Sequence, residues 1–298
     1  MGLDSLFLSY IIGNSIVSLW LLFKIKVFSY IGINNLNKKV TKEMIKYSFP
    51  LVPNNISWNA ISLTDRLLIV NFLGAAKNGI YSVGLRFPTI INTCYSYFNL
   101  SWKESASKMV NKKDKDDFYN SVYVSLNRLL ICVSILIIAF LPLVFNLLIK
   151  KDYREVYNYI PLMIISVYFS NLSNFCSGIF SAYKDTKILA KTTVVATIIN
   201  FIVGIILIQK IGLYASILAT LTAYIVIYFY RNYKLKKYIT LKHDNYVIYH
   251  TIMLLIVVFC YYLKNIIIII LGALLALIYS YFANRSLLKP IIKKIKRK

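Results

Sequence analysis

Nine stretches of this chain are long and apolar enough to cross a bilayer, at residues 3–23, 46–72, 78–102, 121–149, 157–182, 188–209, 211–230, 246–263 and 266–283. A spanning helix needs about 20 such residues, because a backbone without water must satisfy its own N–H and C=O groups. Barrel strands are excluded, since each needs only about ten alternating residues. The first stretch has no basic residue before it and no small-residue cleavage site after Phe23, so it reads as a span and not a signal peptide. The expected fold is an all-α, polytopic transmembrane helix bundle of about nine spans. With 58% hydrophobic and 15% charged residues, the 298-residue chain has too little polar surface for a soluble domain.

The charge, +24 from 35 Lys/Arg against 11 Asp/Glu, is explained by where the cations fall. Alternate connections hold 24 of them: 24–45, 103–120, 183–187, 231–245 and the tail from 285 onward, which ends KPIIKKIKRK. The opposite side holds six, Lys77, Lys150, Lys151, Arg154, Lys210 and Lys264, in short connections. The positive-inside rule then puts the amino terminus outside and the carboxyl terminus in the cytoplasm, with the basic tail on anionic lipid headgroups and no nucleic acid as partner. Tyr47, Tyr119, Tyr153, Tyr157, Tyr246 and Tyr262 sit near span ends and read as interfacial anchors. Cys94, Cys132, Cys176 and Cys260 lie apart in apolar runs, which supports neither a zinc site nor a disulfide framework.

Polar residues inside spans are costly, so their helical phase marks a face turned toward protein or water. In the second span Asn55, Asn59, Ser62 and Arg66 share one face, with Asn54, Trp58 and Asp65 beside it; Pro50 and Pro53 should bend its start. The third span repeats the pattern with Ser82, Arg86, Thr89, Thr93 and Ser96, and the fourth carries Ser121, Ser125, Arg128 and Cys132. Such stripes also serve helix packing. The arginines shift the balance: three intramembrane Arg against one acid, Asp65, leave a positive surplus even if Asp65 pairs with Arg66 or Arg86. A hydrated cationic cavity for an anionic ligand follows, Arg being suited to phosphate oxygens by its forked donors. The last two spans carry little polarity and are expected at the periphery.

Catalysis finds no support. His243 and His250 have no carboxylate partner at a recognisable spacing, and GxSxG, HExxH and Walker motifs are absent. No catalytic residue, metal or cofactor is expected. The run NKKDKDD reads as a solvated connection, since its lysines would oppose a cation.

Residues 44–106 carry a more specific pattern: FPLVPN, the pair Asp65-Arg66, LGAA-x-x-G-x-Y ending at Tyr81, Pro88, and W-x-E-S-A from Trp102 to Ala106. This region resembles polysaccharide-biosynthesis (Wzx-type, repeat-unit) flippases of the multidrug/oligosaccharidyl-lipid/polysaccharide exporter superfamily. The resemblance implies a MATE-like transporter of two six-helix lobes, some members having two further carboxyl-terminal helices. It implies undecaprenyl-diphosphate-linked glycan as cargo, flipped across the bacterial cytoplasmic membrane for capsule or O-antigen synthesis. The first span then corresponds to the sixth helix and the first five helices are expected to be lacking: either the chain is a fragment or truncated gene product, a partial transporter, or a separate amino-terminal lobe or a second copy is an expected partner besides membrane lipid. The domains expected are a single helix and basic loop (1–45), the six-helix second lobe (46–232), and a helix pair with basic tail (233–298). The resemblance extends ligand contact to Asp65 and Arg66, while Arg86, Arg128, Asn55 and Asn59 rest on charge and phase. Two other functions stand beside it: a membrane glycosyltransferase or polymerase, which would need longer external loops, and a drug/cation antiporter of the same fold, which would prefer cavity acids.

Overall fold

The structure, a computed structural model, describes residues 3–26, 37–242 and 247–285. His243, Tyr246 and the basic run 289–298 lie outside the described residues. The chain divides into two compact units, Met1–Lys46 and Tyr47–Lys298. The first holds α1 (Leu3–Lys24), a single apolar helix. Within the expected basic loop 24–45 lies most of a further helix, α2 (Lys38–Ser48), started by the Asn37 side chain, which accepts from the Lys39 and Val40 N–H groups. Its four lysines alternate with apolar residues, a pattern that hydropathy alone misses.

The second unit contains α3 (Leu51–Leu73), α4 (Ala75–Gly84), α5 (Arg86–Met109), α6 (Lys115–Leu148), a 3₁₀ helix (Lys151–Asn158), α7 (Ile160–Ala182), α8 (Thr186–Ile211), α9 (Leu213–Leu235), α10 (Val247–Leu263) and α11 (Ile266–Ala283). The nine expected spans are all represented, and among the described residues six helices are long and apolar enough to cross a membrane. The other three depart for visible reasons. α3 is diluted by its asparagines, Asp65 and Arg66, α10 is only 17 residues long, and the third span is divided into α4 and α5. Proline explains the interruptions. Pro88 has no N–H for the Gly84 carbonyl, and the chain breaks at Leu85; Pro50 and Pro53 likewise interrupt the second span at Phe49–Pro50.

Connections are shorter than the hydropathy boundaries suggest, because helices continue past the apolar region. α6 is 34 residues, about 50 Å at 1.5 Å per residue, so the basic connection 103–120 contracts to a turn around residues 110–114. α8 and α9 are separated by Gly212 alone, with φ 57° and ψ −133°. A side chain would have open space there, but the backbone conformation is one that only glycine adopts readily.

In a bilayer no hydrophobic force draws helix to helix, so packing and hydrogen bonds must do it. α9 lies between α7 and α8, α3 packs on α8, and α5 on α7. The small residues Gly204 and Ala219 meet where α8 and α9 approach. The W-x-E-S-A segment is the clasp of α5. Trp102 donates to the Phe175 carbonyl at 3.0 Å and stacks on the Phe175 ring at 4.3 Å, while the Ala106 carbonyl accepts from Tyr119 at 2.7 Å. Tyr119 is therefore a wholly buried core residue and not an interfacial anchor. α10 and α11 pack on α6 and leave most of their Ile and Leu side chains exposed.

Candidate functional site

A polar cavity of ≈ 690 Å³ opens between the start of α3, the end of α5, the end of α7 and the start of α8. Five asparagines (Asn54, Asn55, Asn59, Asn99, Asn174) and three serines (Ser107, Ser177, Ser181) line it with Trp58, Tyr47 and Lys103, and its lining holds no carboxylate. The prolines at 50 and 53 place the α3 asparagines at a helix start. There Asn59 donates to the Asn55 carbonyl and Asn54 to the Asn55 side-chain oxygen. Asn99 keeps a buried amide oxygen without a protein partner. Amides and hydroxyls in this density, with one aromatic face, form a surface for a ligand rich in hydroxyl groups.

Behind this wall stands a cation that the sequence reading placed in the cytoplasmic connection 231–245. Arg231 is 0% exposed and lies inside α9. Its guanidinium donates to Ser177 Oγ at 2.6 Å, Thr193 Oγ1 at 2.9 Å, Thr192 Oγ1 at 3.0 Å and the Ser173 carbonyl at 3.2 Å. A longer contact, 3.5 Å, reaches Asn54 Oδ1, and the Trp58 ring centroid lies 5.9 Å from Cζ. Each of these partners is neutral, so the positive charge is held in place without being neutralised. Asn54, Trp58 and Ser177 also line the cavity, which brings the guanidinium's field to the ligand space. A readable signal existed: positions 215, 219, 223, 227, 231 and 235 are all buried, one four-residue stripe that Arg231 continues.

The expected pairing of Asp65 with an arginine does not occur. Asp65 is 1% exposed and accepts from Thr220 at 2.5 Å, Tyr81 at 2.9 Å and Asn200 at 3.1 Å. Adjacent helical residues diverge by about 100°, so Asp65 points into α8 and α9 while Arg66 turns away and reaches Ser82 at 3.3 Å. Asp65 borders a separate pocket of ≈ 110 Å³ with Tyr81 and Tyr224. Tyr81, the last residue of LGAA-x-x-G-x-Y, is thus a donor to the buried acid.

Of the other expected site residues, Asn55 and Asn59 line the large cavity, whereas Arg66, Arg86 and Arg128 do not. Arg86 is exposed where α4 meets α5, on the same exposed stripe of α5 as Thr89 and Thr93. Arg128 is half-buried on α6, one turn from Cys132, which lies against Ser280 of α11 and Asn284 just past its end.

A bundle of helices broken at prolines around a polar cavity is a polytopic membrane protein with the fold of a transporter lobe. The MatE family model matches residues 50–206, more than half of the chain, and the protein belongs to the MatE family. Among solved structures, the crystal structure of the Vibrio cholerae MATE transporter VcmN in the bent form is similar in fold, with a TM-score of 0.58 and 15% sequence identity over 76% of this chain. The match covers 54% of VcmN, so this chain spans about half its length. No curated protein matches the sequence.

Proposed function

We propose that this chain is the second lobe of a transporter that flips undecaprenyl-diphosphate-linked oligosaccharides across the bacterial cytoplasmic membrane, its amino terminus outside and its carboxyl terminus inside. The observation that carries the reading is the acid-free cavity of amides and hydroxyls with Arg231 held unneutralised behind Asn54 and Ser177. Sugar hydroxyls meet the asparagines and serines, and the diphosphate meets the field of Arg231 and the ammonium of Lys103. From this cavity the stripe Asn55-Asn59-Ser62-Arg66 leads along α3 for about 16 Å toward Arg86, a polar track for the head group while the lipid tail stays in the bilayer. Alternating access requires an opposing lobe, supplied by a further polypeptide segment or a second copy.

The buried Asp65 beside its own pocket favours a second reading, an organic-cation antiporter of the same fold. Binding to the purified full chain separates the two. The probes are a short-chain polyprenyl diphosphate carrying one sugar, and tetraphenylphosphonium. The flippase reading expects the diphosphate to bind and Asp65→Asn to leave its affinity within about threefold. Tight binding of the cation, lost in Asp65→Asn and accompanied by no binding of the diphosphate, would establish the antiporter instead.

A further inference from the structure

The cation-poor side of the protein gathers its positive charge at one place. Topology disfavours Lys and Arg in these connections. Of the six that remain, Arg154 and Lys264 line a single cavity of ≈ 440 Å³, and Lys150 and Lys151 lead directly into the 3₁₀ helix that forms one of its walls. The nearby acids do not cancel this charge. Both oxygens of Glu155 are taken by Lys77, at 2.6 and 2.7 Å, which leaves Asp152 against four cations.

The cavity is also built rather than incidental. Tyr157 and Tyr261 stack at 4.1 Å and exchange hydrogen bonds with each other's backbone carbonyl at 2.8 and 2.7 Å, and Tyr262 donates to the Asn158 carbonyl at 2.8 Å. The α10–α11 turn holds Lys264 in the left-handed region, φ 54°, uncommon for a residue with a side chain. Its ammonium stands 5.8 Å from the Tyr157 ring centroid, above the cavity. Phe145, Ile266 and Ile269 supply its apolar lining, and Ile266 and the next residue, Ile267, are exposed. A fixed polar recess with two cations, opening at the edge of a lipid-facing surface, suits an amphipathic anion whose tails lie along α10 and α11.

We propose that this recess binds the headgroup of an anionic phospholipid, with Arg154 and Lys264 on its phosphate. The site lies at the far end of α6 from the connection between α5 and α6, is separate from the asparagine-lined cavity, and does not depend on what the transporter carries. The test is native mass spectrometry of the purified full chain exchanged into mixed micelles containing equal phosphatidylglycerol and phosphatidylcholine. The wild type is expected to retain one phosphatidylglycerol at least tenfold over phosphatidylcholine. Arg154→Gln with Lys264→Gln should abolish that preference, whereas Lys210→Gln, which removes one cation at another connection of this face and matches the single variant Arg154→Gln in charge, should preserve it. If the double variant melts more than a few degrees below wild type, Arg154→Gln alone decides, since Arg154 makes no structural contact; it should lower the preference at least threefold. Equal retention of the two lipids by wild type, or an unchanged preference in the variant that folds, overturns the proposal. Two displacement arms identify the source of the phosphate. Release of the phospholipid by millimolar inorganic phosphate would assign the site to a soluble anion, and release by one equivalent of a polyprenyl diphosphate would assign it to the carrier lipid; either refutes a phospholipid site.

Discussion

Replacing Arg231 with methionine separates the charge of this residue from its volume. The three shortest guanidinium bonds, to Ser177, Thr193 and Thr192, are charge-assisted and contribute roughly 1.5–3 kcal/mol each. Against that stands the several kcal/mol needed to remove a cation from water. The acceptors are not stranded when the arginine goes: Thr192 and Thr193 each donate to the Leu189 carbonyl, and Ser177 to that of Ser173. Fold stability should therefore change by no more than about 2 kcal/mol. The effect on a ligand should be larger and selective. A phosphate beyond Asn54 and Ser177 would sit roughly 7 Å from the guanidinium, where a unit charge at an effective dielectric constant of about 20 contributes about 2 kcal/mol. That is roughly thirtyfold in affinity. The assay is calorimetric binding of a short-chain polyprenyl diphosphate sugar beside a glycolipid of the same sugar with a neutral linkage. Arg231→Met should weaken the first about thirtyfold and leave the second unchanged. Equal losses for both ligands would mean that the arginine shapes the cavity rather than charging it, and no loss for either would remove it from the site.

Three further outcomes are expected. A Cβ at Gly178 would overlap the Trp102 indole nitrogen; the ring is stacked on Phe175, so Gly178→Ala should lower stability by about 1–3 kcal/mol, read as a fall in melting temperature. Hydrogen bonds from Lys77 and Tyr159 hold the Glu155 carboxyl below the usual glutamate range, so its contribution is present above about pH 4.5 and is lost as pH falls through the lowered value. For a pair this exposed it amounts to less than about 1 kcal/mol, so Glu155→Gln should lower the melting temperature slightly at pH 7 and flatten the acid limb, the two proteins converging below the lowered value. Finally, single cysteines at Lys77 and Lys112, in a background without the four native ones, should label with an impermeant thiol reagent from outside and inside respectively; external labelling of both would overturn the proposed orientation.

What the sequence reveals and conceals differs by residue. Hydropathy locates helical structure at each of the nine expected spans, and among the described residues six of those helices are long and apolar enough to meet the requirement that lipid imposes. Proline predicts the bend before α3, and Pro88 would have predicted the break at Leu85 by the same missing donor. The stripe Asn55-Asn59-Ser62-Arg66 follows from helical phase, and its first two members do reach the cavity. Phase says nothing about which distant helix supplies a partner. Two of the three donors to Asp65 come from Asn200 and Thr220, 135 and 155 residues away, whereas charge counting assigns that role to Arg66 or Arg86. Arg231 was obscured by its own neighbourhood, because RNYKLKK reads as a basic connection unless the four-residue stripe of α9 is followed to its end.

The order of the Arg231 partners along the chain bears on biosynthesis. Asn54, Ser173, Ser177, Leu189, Thr192 and Thr193 all precede α9, so a ribosome delivers every acceptor before the cation that needs them. Until they close around it, Arg231 is only one turn from the end of α9 and its long side chain can keep its charge at the water interface. A rearranged gene that translates α9 ahead of α7 and α8 should lose that sequence of events, with membrane yield falling even where the same contacts are possible in the finished protein.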